Sequence, residues 1–356
     1  MTKRIVIMAG GTGGHVFPAL AVAAFLQQQG WQVSWLGTLA GLEGRVVPAA
    51  GIEVDWLSVS GLRGKGFFAK FLAIFRFIRS CFEALMILRK RRPHVVLGMG
   101  GFVAAPGGLV SKILGIPLII HEQNRIVGTT NRFLSRLATK CLEGFPNTFP
   151  KQVNAICTGN PLRQRFIDSL NGYISPLDEK GTLNILIVGG SQGAKMLNEM
   201  VPQALVLLET QETVQVCHQT GNAMQQQVIE HYKSLNLQAQ VFAFIEDMVS
   251  AYQWADLIIC RAGAMTVSEV AAMGIPAIFI PLPSAIDDHQ TANAMYLSDE
   301  KAATLINQKD LTPAMIAQQI NMTLYHRVEI GARARSQAFL NATALVAQVC
   351  VSEAKV

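Results

Sequence analysis

His15 closes the segment GGTGGH at residues 10–15, between an apolar run and a helical pattern. A glycine turn that leaves a strand and opens a helix presents unpaired N–H groups at the positive end of the helix dipole, which favours anions and phosphate above all. The same dipole disfavours imidazolium, so a histidine there can act as a neutral base near pH 7. The plainer role for a single histidine after such a turn is a cap or a packing contact. Glu122 in HEQN (121–124) is the second candidate base. In CRAGAMTVSE (260–269) a turn brings the N–H groups of Ala264, Met265 and Thr266 to a helix start, and Glu269 follows about one helical turn later. A carboxylate so placed can accept both hydroxyls of a ribose while a diphosphate rests on the N–H groups. Its other reading is a first-turn acid favoured by the dipole. Ser191 in GGSQGA (189–194) adds weight to the ribose reading.

These groups need elements to hold them. The apolar runs RIVIMA (4–9), WQVSWLG (31–37), HVVLGMG (94–100), LIIHEQN (118–124), LNILIVGG (183–190), VQVCHQTG (214–221), DLIICRAG (256–263) and AIFIPLP (277–283) alternate with helical patterns. Such runs suit strands covered on both faces, with helical crossovers, which predicts an α/β protein of doubly wound parallel sheets. A chain of 356 residues suggests two domains. The plan of strand, glycine turn and helix begins twice, in RIVIMAGGTGGHVFPAL and again in LNILIVGGSQGAKML. Between them, 161–182 loses the strand signal and collects Pro, Gly and charge, which marks a linker. The expected domains are 1–162 and 163–339. The stretch 331–356 reads as helix, with 340–356 returning to the first domain. Glycine turns at 10–14, 98–101, 189–193 and 261–266, each at the end of a run, point to a ligand cleft at the carboxyl ends of the sheets.

Several classes are excluded. The dinucleotide fingerprint GxGxxG fails at Val16, the second run ends in Gly37-Thr38 without a ribose acid, and Gly64-Lys65 is followed by Gly66 rather than Ser or Thr. The six cysteines show no CxxC pairing and the seven histidines no zinc spacing, so no metal site or cofactor is expected. The start has too short an apolar run for a signal peptide. Net charge is a modest +6, yet nine Arg and Lys crowd 63–92 against the single acid Glu83. In GFFAKFLAIFRFIRSCFEALMIL (66–88), Phe67, Phe71, Ile74, Ile78, Phe82 and Leu85 form one helical stripe, widened by Phe68, Leu72 and Phe75. Lys70, Arg76, Arg79 and Glu83 interrupt it too often for a membrane span. A broad apolar face rimmed by cations fits an anionic leaflet; the alternative is a core helix with a basic outer face. Aromatic–basic RNA motifs are lacking, which argues against nucleic acid as a partner.

GGTGGHVFPAL, SGLRGKG, VVLGMGGF, HEQN, GNPLR, GGSQGA and CRAGAMTVSE, in this order along the full length, resemble the MurG family of bacterial UDP-N-acetylglucosamine transferases. The resemblance implies a GT-B fold of two Rossmann-like domains facing a deep cleft, a metal-independent inverting transfer to lipid I, and a peripheral position on the cytoplasmic face of the inner membrane. It implies UDP-N-acetylglucosamine, lipid I, the anionic membrane surface and other cell-wall synthesis proteins as partners. Carried over by position, the donor site comprises Ser191, Ile245 at the uracil, Ala264, Met265, Thr266, Val267 and Ser268 near the phosphates, Glu269 on the ribose, Arg163 and Gln290. Thr12, Gly13, Gly14 and Asn124 reach it from the N-terminal domain, with His15 or Glu122 as base. Where some members carry two adjacent glutamines, this chain has His289-Gln290. Another UDP-sugar-dependent GT-B enzyme is the alternative.

Overall fold

The strand over residues 4–8 is buried on both sides. Ile5, Ile7 and Ala9 pack with Val16, Val22 and Leu26 of the helix Gly13–Gln28, whereas Val6 and Met8 pack with Ala84, Leu88, Ala104 and Val110 on the other face. Alternate residues of a strand point to opposite faces, so a doubly covered strand must be apolar throughout. We describe residues 2–59, 67–170, 181–190, 193–210 and 212–355 of the computed structural model, without the side chains of 67–73 and 286.

The chain forms two compact units, Met1–Gln164 with Phe339–Val356, and Arg165–Ala338. The first holds a parallel sheet of β1 (Arg4–Met8), β2 (Gln32–Gly37), β3 (Glu53–Trp56), β4 (Val95–Gly98), β5 (Leu118–Glu122), β6 (Lys140–Glu143) and β7 (Ile156–Cys157) in the order β3-β2-β1-β4-β5-β6-β7. The second holds β8 (Thr182–Val188), β9 (Thr213–Gln219), β10 (Gln240–Phe242), β11 (Leu257–Cys260), β12 (Ala277–Phe279) and β13 (Thr304–Leu305), also parallel, in the order β10-β9-β8-β11-β12-β13. Strand order reverses between β1 and β4 and between β8 and β11. Ligands of doubly wound sheets bind at such switch points, outside the carboxyl ends of the strands. The four glycine turns follow these four strands, and the helices Gly13–Gln28, Ala104–Ile113, Lys195–Val206 and Ala264–Met273 start from them.

Among the described residues, five strands gave no apolar run. β3, β7, β10 and β13 are sheet edges and only partly buried, and β6 begins at an exposed Lys140. An edge strand has a neighbour on one side only, so its sequence need not be apolar. The expected C-terminal helix is two helices, Arg327–Ser336 and Ala342–Glu353. Val346, Ala347 and Cys350 of the second are fully buried in the cluster that holds Ile5 and Ile7, and the Thr343 hydroxyl donates to the Leu162 carbonyl at 2.9 Å. Burying one such Val contributes about 1.5–3 kcal/mol, which accounts for this helix belonging to the first unit.

Candidate active site

In the first unit, Thr12 precedes the helix Gly13–Gln28 in an extended conformation and makes no side-chain cap, while its carbonyl accepts the N–H groups of His15 and Val16 at 3.1 and 3.2 Å. Gly11 has a φ of +93°, a conformation that a residue bearing a Cβ resists. Its N–H is not open to a ligand: Glu43 Oε2 accepts it at 3.0 Å. Glu43 is fully buried, and its Oε1 takes the Thr38 N–H at 3.1 Å and the Thr38 hydroxyl at 2.7 Å. A Cβ at Gly10 would lie 2.5 Å from Glu43 Oε1. Part of the glycine content of this turn therefore makes room for a buried carboxylate. No spacing in the sequence singled Glu43 out.

His15 sits on the first turn of that helix, with Nδ1 3.4 Å from Thr12 Oγ1. The turn after β4 packs against it. A Cβ at Gly100 would lie 2.9 Å from His15 Cδ2, 3.1 Å from its Nε2 and 3.6 Å from Gln123 Oε1, and one at Gly101 would run into the Gly10 carbonyl. The glycines of 98–101 thus let the two turns touch, a packing role beside the ligand role expected of them.

Glu122 ends β5 and is 2% exposed. Its Oε1 accepts from the N–H of Asn124 at 3.1 Å and from Asn124 Nδ2 at 3.3 Å; its Oε2 accepts from the Gly128 N–H at 3.0 Å and Asn131 Nδ2 at 2.9 Å. The carboxylate therefore organises residues 122–131. Beside it, His121 Nε2 lies 3.0 Å from the Gly159 carbonyl, which can only accept, so Nε2 carries the proton and Nδ1 receives Gln123 Nε2 at 3.1 Å. Burial pushes the His121 pKa down to about 4. Gln123 Oε1 is buried without a hydrogen-bond partner among the described residues. Arg163, at the exposed end of this unit, lies over the Phe17 ring at 5.7 Å.

In the second unit, Gly263 precedes the helix Ala264–Met273 with no side-chain cap, and the first helical bond is from the Val267 N–H to the Gly263 carbonyl at 3.0 Å. The N–H groups of Ala264, Met265 and Thr266 precede that bond. Val267, in contrast, turns its side chain fully into the core, and its N–H is used within the helix, so it supports the site rather than lining it. The Ser268 hydroxyl donates to the Ala264 carbonyl at 3.0 Å. Glu269 lies in the second turn, since the helix begins at Ala264, and no acid stands in the first turn. That removes the dipole-favoured reading, because the effect falls off within the first turn. The Tyr252 hydroxyl donates to Glu269 Oε2 at 2.9 Å.

Neighbouring residues fix this turn. Buried Asn293, on the helix His289–Ser298, donates to the Ala262 carbonyl at 3.1 Å. Gln290 on the same helix accepts the Leu282 N–H at 3.0 Å. The Ile245 N–H donates to Gln219 Oε1 at 2.8 Å. Arg261 directly follows β11, where a guanidinium could meet a diphosphate. Its guanidinium instead donates to the carbonyls of Ile280 and Pro281 at 2.8 and 3.1 Å and to Gln308 Oε1 at 2.8 Å, which makes it a clamp on strand ends. Under the turn after β8, Tyr232, His218 and Asn198 form a buried chain that ends on the Thr220 carbonyl. Ser191 lies outside the described residues.

Residues 5–143 match the glycosyltransferase family 28 N-terminal domain and residues 184–349 match its C-terminal domain. The UDP-N-acetylglucosamine--N-acetylmuramyl-(pentapeptide) pyrophosphoryl-undecaprenol N-acetylglucosamine transferase of Methylococcus capsulatus is 55% identical, over 99% of each chain. The crystal structure of Acinetobacter baumannii MurG aligns with a TM-score of 0.83 at 43% identity, covering 98% of this chain and 99% of that one. The chain belongs to the MurG family. The glycotransferase of kitacinnamycin, with a TM-score of 0.70 at 16% identity over 100% of each chain, shares the fold alone, which is GT-B.

Among the described residues, no helix of this MurG-family chain is long and apolar enough to cross a membrane. The helix Phe67–Arg91 packs inward through Ala84 and Leu88. Ile74, Ile78, Phe82 and Met86 recur every fourth residue on its outer side, at 61, 61, 64 and 55% exposure, and Phe75 widens the stripe. Leu85, placed on this stripe by its spacing, packs against the core instead. The side chains of Phe67, Lys70 and Phe71 lie outside the described residues. Arg76 and Arg79 are exposed, Arg79 pairing with Glu83 at 2.9 Å. Arg91 is held between Glu53 and Asp55 at 2.6 and 2.7 Å, so its charge adds little to the outer field.

Proposed function

We propose that the protein moves N-acetylglucosamine from UDP-N-acetylglucosamine to the 4-OH of the muramoyl sugar in undecaprenyl-diphospho-muramoyl-pentapeptide (lipid I), giving lipid II for peptidoglycan, with inversion. The observation that carries this reading is the bare helix start at Ala264–Thr266 with Glu269 one turn further on, in a chain that spans 99% of a relative whose name states that transfer. The unit Arg165–Ala338 takes the nucleotide: diphosphate on the N–H groups, ribose on Glu269, uracil beside Ile245. The unit completed by Phe339–Val356 takes the acceptor and the lipid surface. Its exposed stripe of Ile74, Phe75, Ile78 and Phe82, with Arg76 and Arg79, docks on the anionic cytoplasmic face of the inner membrane.

His15 is the base. It accepts the proton of the 4-OH as that oxygen forms its bond to C1 of the sugar, and the C1–O bond to the diphosphate breaks, leaving its electron pair on UDP. The helix N-terminus and Arg163 meet the charge that develops there. Glu122 is assigned to positioning, since four donors already hold its oxygens.

A transfer assay with a lipid I analogue tests the assignment. His15→Ala should lower kcat by about 10²–10⁴-fold and leave UDP binding unchanged by calorimetry. Glu122→Ala should lose melting temperature along with activity. Wild-type turnover by His15→Ala would remove the base from the mechanism, and tighter binding of UDP-glucose than of UDP-N-acetylglucosamine would place the chain with another sugar.

A further inference from the structure

Tyr252 is 1% exposed, yet its hydroxyl reaches a carboxylate on a neighbouring helix, Glu269 Oε2 at 2.9 Å. The ring is fixed by an edge-on contact with Phe166, with centroids 5.9 Å apart and planes at 83°. The helix that carries it, Met248–Trp254, is anchored at both ends. Asp247 caps its start by accepting the Ser250 N–H at 3.3 Å and pairs with Arg165 at 2.8 Å, and the Trp254 carbonyl takes Asn184 Nδ2 at 3.0 Å. A carboxylate can only accept, so the phenol must be the donor. Glu269 sits beyond the helix's open N–H groups, in the second turn.

We propose that Tyr252 is a positioning residue for nucleotide recognition: its phenol holds the Glu269 carboxylate in the orientation that accepts the ribose hydroxyls. Each carboxylate oxygen has two acceptor sites, so Oε2 can take the phenol proton and one ribose hydroxyl while Oε1 takes the other. The phenol helps fix this carboxylate before the nucleotide arrives, which lowers the ordering cost of binding. The inference rests on the reading of Glu269 as the ribose ligand.

Calorimetry with UDP and with 2′,3′-dideoxy-UDP, on wild type, Tyr252→Phe and Glu269→Gln, tests both levels. The Phe variant keeps the ring and its packing, and its melting temperature is recorded alongside. Tyr252→Phe should weaken UDP binding about tenfold, the scale of one hydrogen bond to a charged group, and leave dideoxy-UDP unchanged. In turnover, KM for UDP-N-acetylglucosamine should rise with kcat held. Wild-type UDP affinity in Tyr252→Phe, with Glu269→Gln weakened, would overturn the role of Tyr252 alone. Equal weakening of both nucleotides by Tyr252→Phe would also overturn it, since the phenol would then act on the site at large. Wild-type UDP affinity in Glu269→Gln would overturn the ribose assignment itself.

Discussion

The Glu43 carboxylate accepts the Gly11 N–H at 3.0 Å, tying the turn after β1 to the turn after β2 from a site with no solvent exposure. Its other oxygen holds both donors of Thr38. Glu43→Gln keeps the shape but sets an amide NH₂ against at least one of these donors. The variant should lose about 2–3 kcal/mol, the cost of buried donors left unpaired, measured by urea denaturation. Wild-type stability would mean that water replaces the lost acceptor.

Gly100 borders His15, and its φ of +96° is one that only glycine adopts freely. Gly100→Ala would push the imidazole aside, since the new Cβ would stand 2.9 Å from its Cδ2. A misplacement of that order can cost about a hundredfold in turnover, so kcat should fall by that factor while UDP affinity stays constant. A matching loss of UDP affinity would contradict the placement of the donor in the second unit.

Burial holds His121 and His218 neutral, with pKa values pushed down from 6.5 to about 4 and about 3. Above pH 6.5 neither the native nor the unfolded chain binds these protons, so the pair leaves stability unchanged. Below it the unfolded chain takes up protons that the native one refuses, and stability falls down to about pH 4 for His121 and about pH 3 for His218. Melting temperature should therefore drop between pH 6.5 and pH 4. His218→Gln should flatten that slope, and an unchanged slope would assign the acid sensitivity to other groups.

Ile78 and Phe82 stand outward on the stripe at 61 and 64% exposure. Ile78→Ser with Phe82→Ser should weaken binding to phosphatidylglycerol vesicles by about a hundredfold, at roughly 1.5 kcal/mol for each apolar side chain kept from the lipid. Turnover of a short-chain soluble acceptor should be spared. Equal losses in both assays would make the stripe part of the fold.

The chain has no DxD pair. Asp287 and Asp288 are adjacent, both with positive φ (53° and 52°), and Asp288 Oδ1 takes the Thr291 hydroxyl at 2.7 Å. Transfer should continue in excess EDTA, because the bare helix start and Arg163 are assigned to the leaving diphosphate. A strict divalent-cation requirement would defeat that assignment.

The strands at the switch points were legible because each is apolar on both faces, and a doubly buried strand carries that mark in its own residues. β3, β7, β10 and β13 were not, because an edge strand is completed by one neighbour and takes its place from pairing rather than composition. Glu269 could be named from the turn before it. Its second-turn position, which removes the dipole reading, needed the helix start at Ala264.

The sequence by itself determined the two α/β units, the glycine turns, and the histidine and carboxylate beside them, since periodicity and turn chemistry are properties of neighbouring residues. Only the tertiary structure decided which N–H groups those turns keep open, that Arg261 clamps carbonyls, and that Glu122 is already held by four donors. It also paired Glu43 with Gly11 and Tyr252 with Glu269. A buried polar group must find its partner wherever the fold brings one within about 3 Å, and no local pattern in the chain records that distance.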